Sequence, residues 1–354
     1  MKDLRPQFDF DDILIVPKIK THINSRYKGI ELPPRLPLFT APMDSVINET
    51  NYRTFLDAGI NITLPRTIKY KDFTVNYDNK VPPHGIFISM GFTDLDYELK
   101  TSFRNVRSDA HILIDVANGH MQKVFDYCRE IKRLRPDIVI MVGNIANPET
   151  YTWYAKGKCV DYIRVGIGNG GGCLTTKQSG VGYPMASLIS ATYEAKRKFM
   201  KENPDKIAPA IVADGGMKDH SDIIKSLALG ADYVMIGSIF NKALESCAQN
   251  YLYKIRINKK LASYLFSKGY PVKKYFRGMS TKAAQKAMGK TNFKTSEGVT
   301  RYRKVEYHLK GWVENFNHYL RNAMSYSNAK TLEDFNGNVE IIQITKSAYD
   351  RFNK

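Results

Sequence analysis

The sequence predicts a closed (β/α)8 barrel, and three observations predict it. Eight short apolar runs recur along the chain, segments of helical spacing separate them, and polar or glycine-rich residues follow the runs at their C-terminal ends. Runs that stay apolar instead of alternating suit strands buried on both faces, as in a parallel sheet with helices outside it. Residues at the C-terminal ends of such strands share one rim of a barrel, where active sites are built. At 354 residues the chain is long enough for one large barrel or for two ordinary domains. Its βαβα alternation, with no Ser/Gly linker and no internal repeat, favours one domain over residues 1–354.

In order, the apolar runs are 36–41, 59–64, 85–90, 111–116, 137–142, 162–165, 208–213 and 232–236. Helical spacing marks 47–57, 122–134, 149–155, 186–201 and 221–229. Asn147-Pro148 and either Asp219 or Ser221 read as helix starts, because a short polar side chain accepts from the first free N–H groups and proline has no N–H to leave unpaired. Past the strand ends come Met43-Asp44-Ser45, Pro65-Arg66, Asp115-Val116-Ala117-Asn118-Gly119, Gly143-Asn144, the 166–175 loop, Asp214-Gly215-Gly216 and Gly237-Ser238. On a barrel these converge on one mouth. A doubly wound open sheet is the structural alternative, but it places its phosphate-binding glycines after the first strand, and here they come late.

Composition excludes several classes. No apolar run approaches the length that spans a bilayer, and no basic start with an apolar run and cleavage site opens the chain, so a cytoplasmic protein is expected. The four cysteines (Cys128, Cys159, Cys173, Cys247) are too widely spaced for a CxxC pair or a disulfide framework. The seven histidines make no zinc-binding cluster. The net charge of +18 is uneven: residues 246–296 contain no Asp or Glu but many lysines and arginines. Such a stretch is a solvated basic face, a funnel for anionic substrates, or a nucleic-acid surface, and no nucleic-acid motif accompanies it.

The sharpest chemical signal is Gly166-Ile167-Gly168-Asn169-Gly170-Gly171-Gly172-Cys173-Leu174-Thr175. So many glycines let bare main chain approach a ligand or an ion. An isolated cysteine is ordinarily a small buried hydrophobe. On a polar loop beside backbone dipoles it is instead an accessible nucleophile, and Thr175 offers a hydroxyl two residues on. Asp214-Gly215 and Gly237-Ser238 taken singly read equally well as turns, and Glu297 as a surface carboxylate.

At this loop the chain resembles the IMP dehydrogenase/GMP reductase family, and the resemblance extends over nearly its whole length. The matching pieces, in family order, are residues 10–17 (FDDILIVP), Met43-Asp44, Asp115–Gly119, the 166–175 loop with Gly180-Val181-Gly182-Tyr183-Pro184, Asp214-Gly215-Gly216, Gly278-Met279-Ser280 and Ser296-Glu297-Gly298. The resemblance implies that Cys173 attacks purine C2 and that hydride passes between C2 and a nicotinamide, with Thr175 and Glu297 handling protons. It implies that Asp214 holds the ribose hydroxyls, that Gly215, Gly216, Gly237 and Ser238 cradle the phosphate, and that Gly278, Met279, Ser280, Lys294, Ser296 and Gly298 meet the base. By the same resemblance Arg66, Asp115, Val116, Ala117, Ile167 and Gly168 lie beside the cofactor, and Ser25-Arg26 complete a neighbour's cofactor site in a homotetramer. Carbonyls of Gly168, Gly170 and Cys173 would likewise form a monovalent-cation site for potassium.

Within the family pattern the chain is closer to the reductases. No Arg-Tyr pair lies between Met279 and Glu297 to activate water, and the segment from Arg66 to Gly85 is too short for a regulatory insertion. The expected reaction is therefore NADPH-dependent deamination of GMP to IMP and ammonia, with dehydrogenation of IMP by NAD, or a degenerate polyanion-binding barrel, as alternatives. The chain also departs from the pattern. Pro42–Ser45, Gly237-Ser238, Arg277-Gly278-Met279 and residues 324–345 are closer to dehydrogenases. Gly171-Gly172 removes a phosphate-binding hydroxyl, Phe276 replaces a phosphate-binding tyrosine, and a longer 299–309 segment contains Arg301-Tyr302. A divergent member acting on an altered nucleotide such as dGMP fits these departures. Residues 246–312 are expected to form a mobile flap or subdomain over the barrel mouth.

Overall fold

Eight parallel strands close on themselves in the computed structural model, which describes residues 6–68, 86–101, 103, 111–289 and 298–352. A short strand β1 (Ile13–Ile15) precedes the barrel. The barrel strands are β2 (Leu38–Thr40), β3 (Ile62–Leu64), β4 (Ile86–Met90), β5 (His111–Asp115), β6 (Val139–Ile145), β7 (Tyr162–Val165), β8 (Ala210–Asp214) and β9 (Tyr233–Ile236). They pair in the order β2-β9-β8-β7-β6-β5-β4-β3. The seam between β2 and β3 is shut by Asn61, whose N–H donates to Leu38 O and whose carbonyl accepts from Thr40 N, both at 2.9 Å. All eight expected strands are present; Gly85, which began the third expected run, lies outside the described residues.

The strands are apolar on both faces because both faces are buried. Alternate residues point to opposite sides of a strand. Ile112 and Ile114, Ile163 and Val165, and Ile211 and Ala213 belong to the core shared with the surrounding helices. Phe39, Phe87, Leu113, Met141, Val212 and Met235 fill the barrel interior. One step further along three strands the inward position turns polar: Asp115 follows Leu113, Arg164 follows Tyr162, and Asp214 follows Val212. The interior thus has an apolar floor and a charged layer at its C-terminal mouth.

The five expected helices form, with shifted ends in four cases. Gln122–Leu134 has the expected bounds and buries Val124, Cys128 and Ile131 on one stripe. Pro148–Gly157 starts after Asn147, whose Oδ1 accepts from Glu149 N at 2.8 Å. Of the two proposed starts near residue 220, Asp219 is the cap, accepting from Asp222 N at 3.1 Å, and Ser221 is inside His220–Ala228. Leu309–Tyr326, not expected from spacing, buries Leu309, Trp312, Phe316 and Leu320 and stacks Trp312 on His220 with centroids 4.8 Å apart.

Between β9 and that last long helix the chain builds an antiparallel sheet of β10 (Asn250–Leu252), β11 (Ile255–Ile257), β12 (Val272–Arg277) and β13 (Thr300–Lys304), in the order β11-β10-β12-β13. Helix Lys259–Ser267 covers it, around a small core of Leu244, Ala262, Val272 and Val305. The insertion leaves from the C-terminal end of β9 and therefore stands at the mouth. Arg277 secures it there, pairing with Asp44 in the loop after β2. Strand β14 (Ile341–Gln343) pairs antiparallel with β1 and ties the two ends of the chain together. Among the described residues no helix is long and apolar enough to cross a membrane.

Candidate active site

The rim loops and the inserted sheet enclose a cavity of about 280 Å³. Its inner wall is the charged layer. Arg164, in the middle of an apolar strand, donates from Nη2 to Asp115 Oδ1 at 2.7 Å and from Nε to Asn144 Oδ1 at 2.5 Å. Asn144 in turn donates to Asp214 Oδ2 at 2.8 Å and to Gly166 O at 2.7 Å. Arg66 adds a second cation 3.2 Å from Asp115 Oδ2.

This network separates the two acids. Burial raises the pKa of Asp115, but the charges of Arg164 and Arg66 outweigh that and hold it below the usual carboxylate range. Burial also dominates at Asp214, which sits higher than usual because Arg164 and Asn144 offset only part of it and Asp115 opposes them. Asp115 is therefore the firm anion of the pair.

The other wall is the glycine loop. Gly168 sits at φ +83°, and a Cβ there would fall 1.7 Å from Thr176 Oγ1, so only glycine fits. Gly215, at φ +89°, lets the strand-end loops touch: a Cβ on it would come within 2.8 Å of Gly170 N. The turn is closed by Cys173 N donating to Gly170 O at 2.9 Å. Cys173 is half-buried and lines the cavity, with Sγ 3.2 Å from Thr175 Oγ1. Its main chain bridges Gly298 from the inserted segment, and Val299 N donates to Gly172 O at 3.1 Å. The other thiols are unsuited to attack. Cys128 and Cys159 are buried behind the barrel, and burial pushes Cys247 up to about 12.

Most residues singled out in the sequence meet here. Arg66, Asp115, Val116, Ala117, Ile167, Gly168 and Gly170 line the cavity together with Cys173 and Thr175. Asp214, Gly215, Gly216, Gly237 and Ser238 join them from the last two barrel strands, and Gly278, Met279 and Ser280 from the end of β12. Lys294, Ser296 and Glu297 lie outside the described residues. Ser25 and Arg26 are not in the cavity of their own chain; Arg26 donates to Asn322 Oδ1 at 3.0 Å on the last long helix. Arg301 and Tyr302 do not line it either, and Tyr302 is 56% exposed, edge-on to Tyr251 at 5.0 Å.

Sequence reasoning missed Arg164, although a lone arginine inside an apolar run is itself a signal. It also missed Arg303, for which no local pattern exists. Among the described residues no cluster of three or more His, Cys, Asp or Glu could hold a metal ion. The carbonyls at Gly168, Gly170 and Cys173 are oxygen donors of the kind a hard cation takes, and Gly170 O already accepts one N–H.

Comparison with known proteins agrees with this geometry. Residues 89–351 match the IMP dehydrogenase / GMP reductase domain. A GMP reductase of Streptococcus pyogenes is 28% identical over 336 residues, 93% of this chain and 92% of its own. A GMP reductase of Ligilactobacillus salivarius is 29% identical over 247 residues, 66% of this chain and 71% of its own. An inosine-5'-monophosphate dehydrogenase of Chlorobaculum parvum is 31% identical over 236 residues, 67% of this chain and 45% of its own.

Proposed function

Because the chain belongs to the IMP dehydrogenase / GMP reductase family, we propose that it reduces GMP, or a close analogue such as dGMP, to IMP and ammonia with NADPH. The observation that carries this reading is Cys173 on the cavity wall, its Sγ 3.2 Å from the Thr175 hydroxyl. A thiolate there adds to C2 of the purine, and the 2-amino group leaves as ammonia; dividing a hard displacement into two steps is the gain from a nucleophile. Thr175, with Glu297, supplies the proton that the leaving nitrogen needs. Asp214 takes the ribose hydroxyls, and Gly215, Gly216, Gly237 and Ser238 present main chain to the phosphate. Gly278, Met279 and Ser280 border the base, along with Lys294, Ser296 and Gly298.

The cavity suits a nicotinamide. Arg164 Nη1 is buried with no hydrogen-bond partner among the described residues, a donor that a carboxamide oxygen would satisfy, and Arg66, Val116, Ala117, Ile167 and Gly168 would border the ring. NADPH, when bound, supplies the reducing equivalent that completes the reaction. Carbonyls of Gly168, Gly170 and Cys173 would hold a potassium ion. The same reading implies a cytoplasmic homotetramer in which Ser25 and Arg26 reach a neighbour's cofactor.

The outward position of Tyr302 favours reduction over dehydrogenation, since a water-activating Arg-Tyr pair must face the substrate. Purified protein assayed with GMP, dGMP and IMP against NADPH and NAD tests the direction. NADPH oxidation with GMP or dGMP, abolished in Cys173→Ala, is the expected result. NAD reduction with IMP and silence with both guanine nucleotides would reverse it.

A further inference from the structure

Arg303 lies outside every motif, yet it reaches the cavity wall that the proposed function assigns to phosphate. Its guanidinium carbon is 4.4 Å from the centroid of the Phe276 ring. Nη1 lies 3.5 Å from Ser238 O, and Nη2 lies 3.3 Å from where a Cβ on Gly171 would be. Gly171, Ser238 and Phe276 all line the cavity. The flat ring beneath the guanidinium fixes its plane, a stacking that arginine makes readily.

Among the described residues this cation is paired with no anion. Arg303 Nε is buried and has no hydrogen-bond partner among the described residues. Arg303 forms no ion pair among the described residues, and the nearby acid Glu306 is bonded instead to Lys242 at 2.9 Å. Holding a half-buried guanidinium there costs hydration, which an ordinary structural arginine recovers from a carboxylate. A planar fork beside a serine side chain and bare glycine backbone has the geometry that recognises phosphate oxygens.

We propose that Arg303 determines specificity for a phosphorylated substrate, its fork binding the 5′-phosphate dianion next to Ser238, and that residue 171 is glycine because a side chain there would displace the guanidinium. The inference rests on the purine-nucleotide reading and deepens it: tight binding requires a phosphate at this end, and the free nucleoside binds measurably but far more weakly.

Calorimetric titration with GMP, guanosine and inorganic phosphate tests this. Arg303→Met retains much of the stem that covers Phe276 but lacks the charge. It should weaken GMP by about 10- to 100-fold, the range for losing a charge-assisted hydrogen bond, and leave guanosine unchanged. Gly171→Ser should weaken GMP in the native background and do much less in Arg303→Met, since contacting residues are not additive. Unchanged GMP binding by Arg303→Met, or an equal loss for guanosine, overturns the proposal and leaves the purine reading intact. Should no purine nucleotide bind while inorganic phosphate binds in an Arg303-dependent way, the purine reading fails and the anion site stands. If neither binds, both fail.

Discussion

Arg164 lies between two carboxylates at the barrel mouth, 2.7 Å from Asp115 Oδ1 through Nη2 and 3.3 Å from Asp214 Oδ2 through Nε. One guanidinium from β7 thereby joins residues from β5 and β8, and Asn144 from β6 completes the link. Arg164→Met would leave Asp115 with Arg66 alone, and Asp214 with only Asn144. Removing one partner of a buried pair costs about 3–5 kcal/mol. Equilibrium denaturation should show a loss of that size; a loss below about 1 kcal/mol would mean that water replaces the guanidinium.

Arg277 and Asp44 hold the inserted sheet against the barrel, with Arg277 Nε 3.1 Å from Asp44 Oδ1. The pair also fixes the start of Gly278-Met279-Ser280 on the cavity wall. A double-mutant cycle of Arg277→Ala and Asp44→Ala should give a coupling of about 1–2 kcal/mol in transition-state stabilisation, read from kcat/KM. Strict additivity would show that the sheet is positioned by its other contacts.

Lys274 is 1% exposed, and its Nζ donates to Leu244 O at 2.9 Å and Ser246 O at 2.6 Å. Burial lowers it from 10.5 to about 8. Between these values the unfolded chain binds the extra proton and the folded one does not, so stability rises with pH across that window. The neutral amine keeps two N–H donors for two carbonyls. Denaturant midpoints from pH 7.5 to pH 10 should climb more steeply in the native protein than in Lys274→Met; parallel slopes would show that Lys274 retains its ordinary affinity for protons.

Gly168→Ala forces a Cβ against Thr176 and places alanine at φ +83°, a region costing roughly 1–2 kcal/mol for a residue with a side chain. Relief requires moving the 166–175 loop. Activity and the rate of Cys173 alkylation by iodoacetamide should both change, with a melting shift no greater than that strain requires. Unaltered alkylation would show that the loop's position does not depend on Gly168.

The barrel was legible because its rules are local. An apolar run announces a strand buried on both faces, Asn147-Pro148 announces a helix start, and glycines before Cys173 announce a loop whose main chain must come close to something. The resemblance of the motifs then located most of the cavity wall, from Asp115 to Ser280. The inserted sheet was less legible, because β10 to β13 are short and partly exposed, and β11 to β13 carry lysines and arginines, so their pattern resembles a solvated loop.

The sequence also contained Arg164, Arg277 and Arg303, but not their partners. Asp115 and Asp214 stand on strands either side of Arg164 in chain order, Asp44 precedes Arg277 by 233 positions, and Ser238 precedes Arg303 by 65. Local pattern reports what each residue does to its own strand or loop. Barrel closure, and the packing of an antiparallel insert on its rim, chose which charges would share a desolvated space, where a guanidinium must find an anion or a ring.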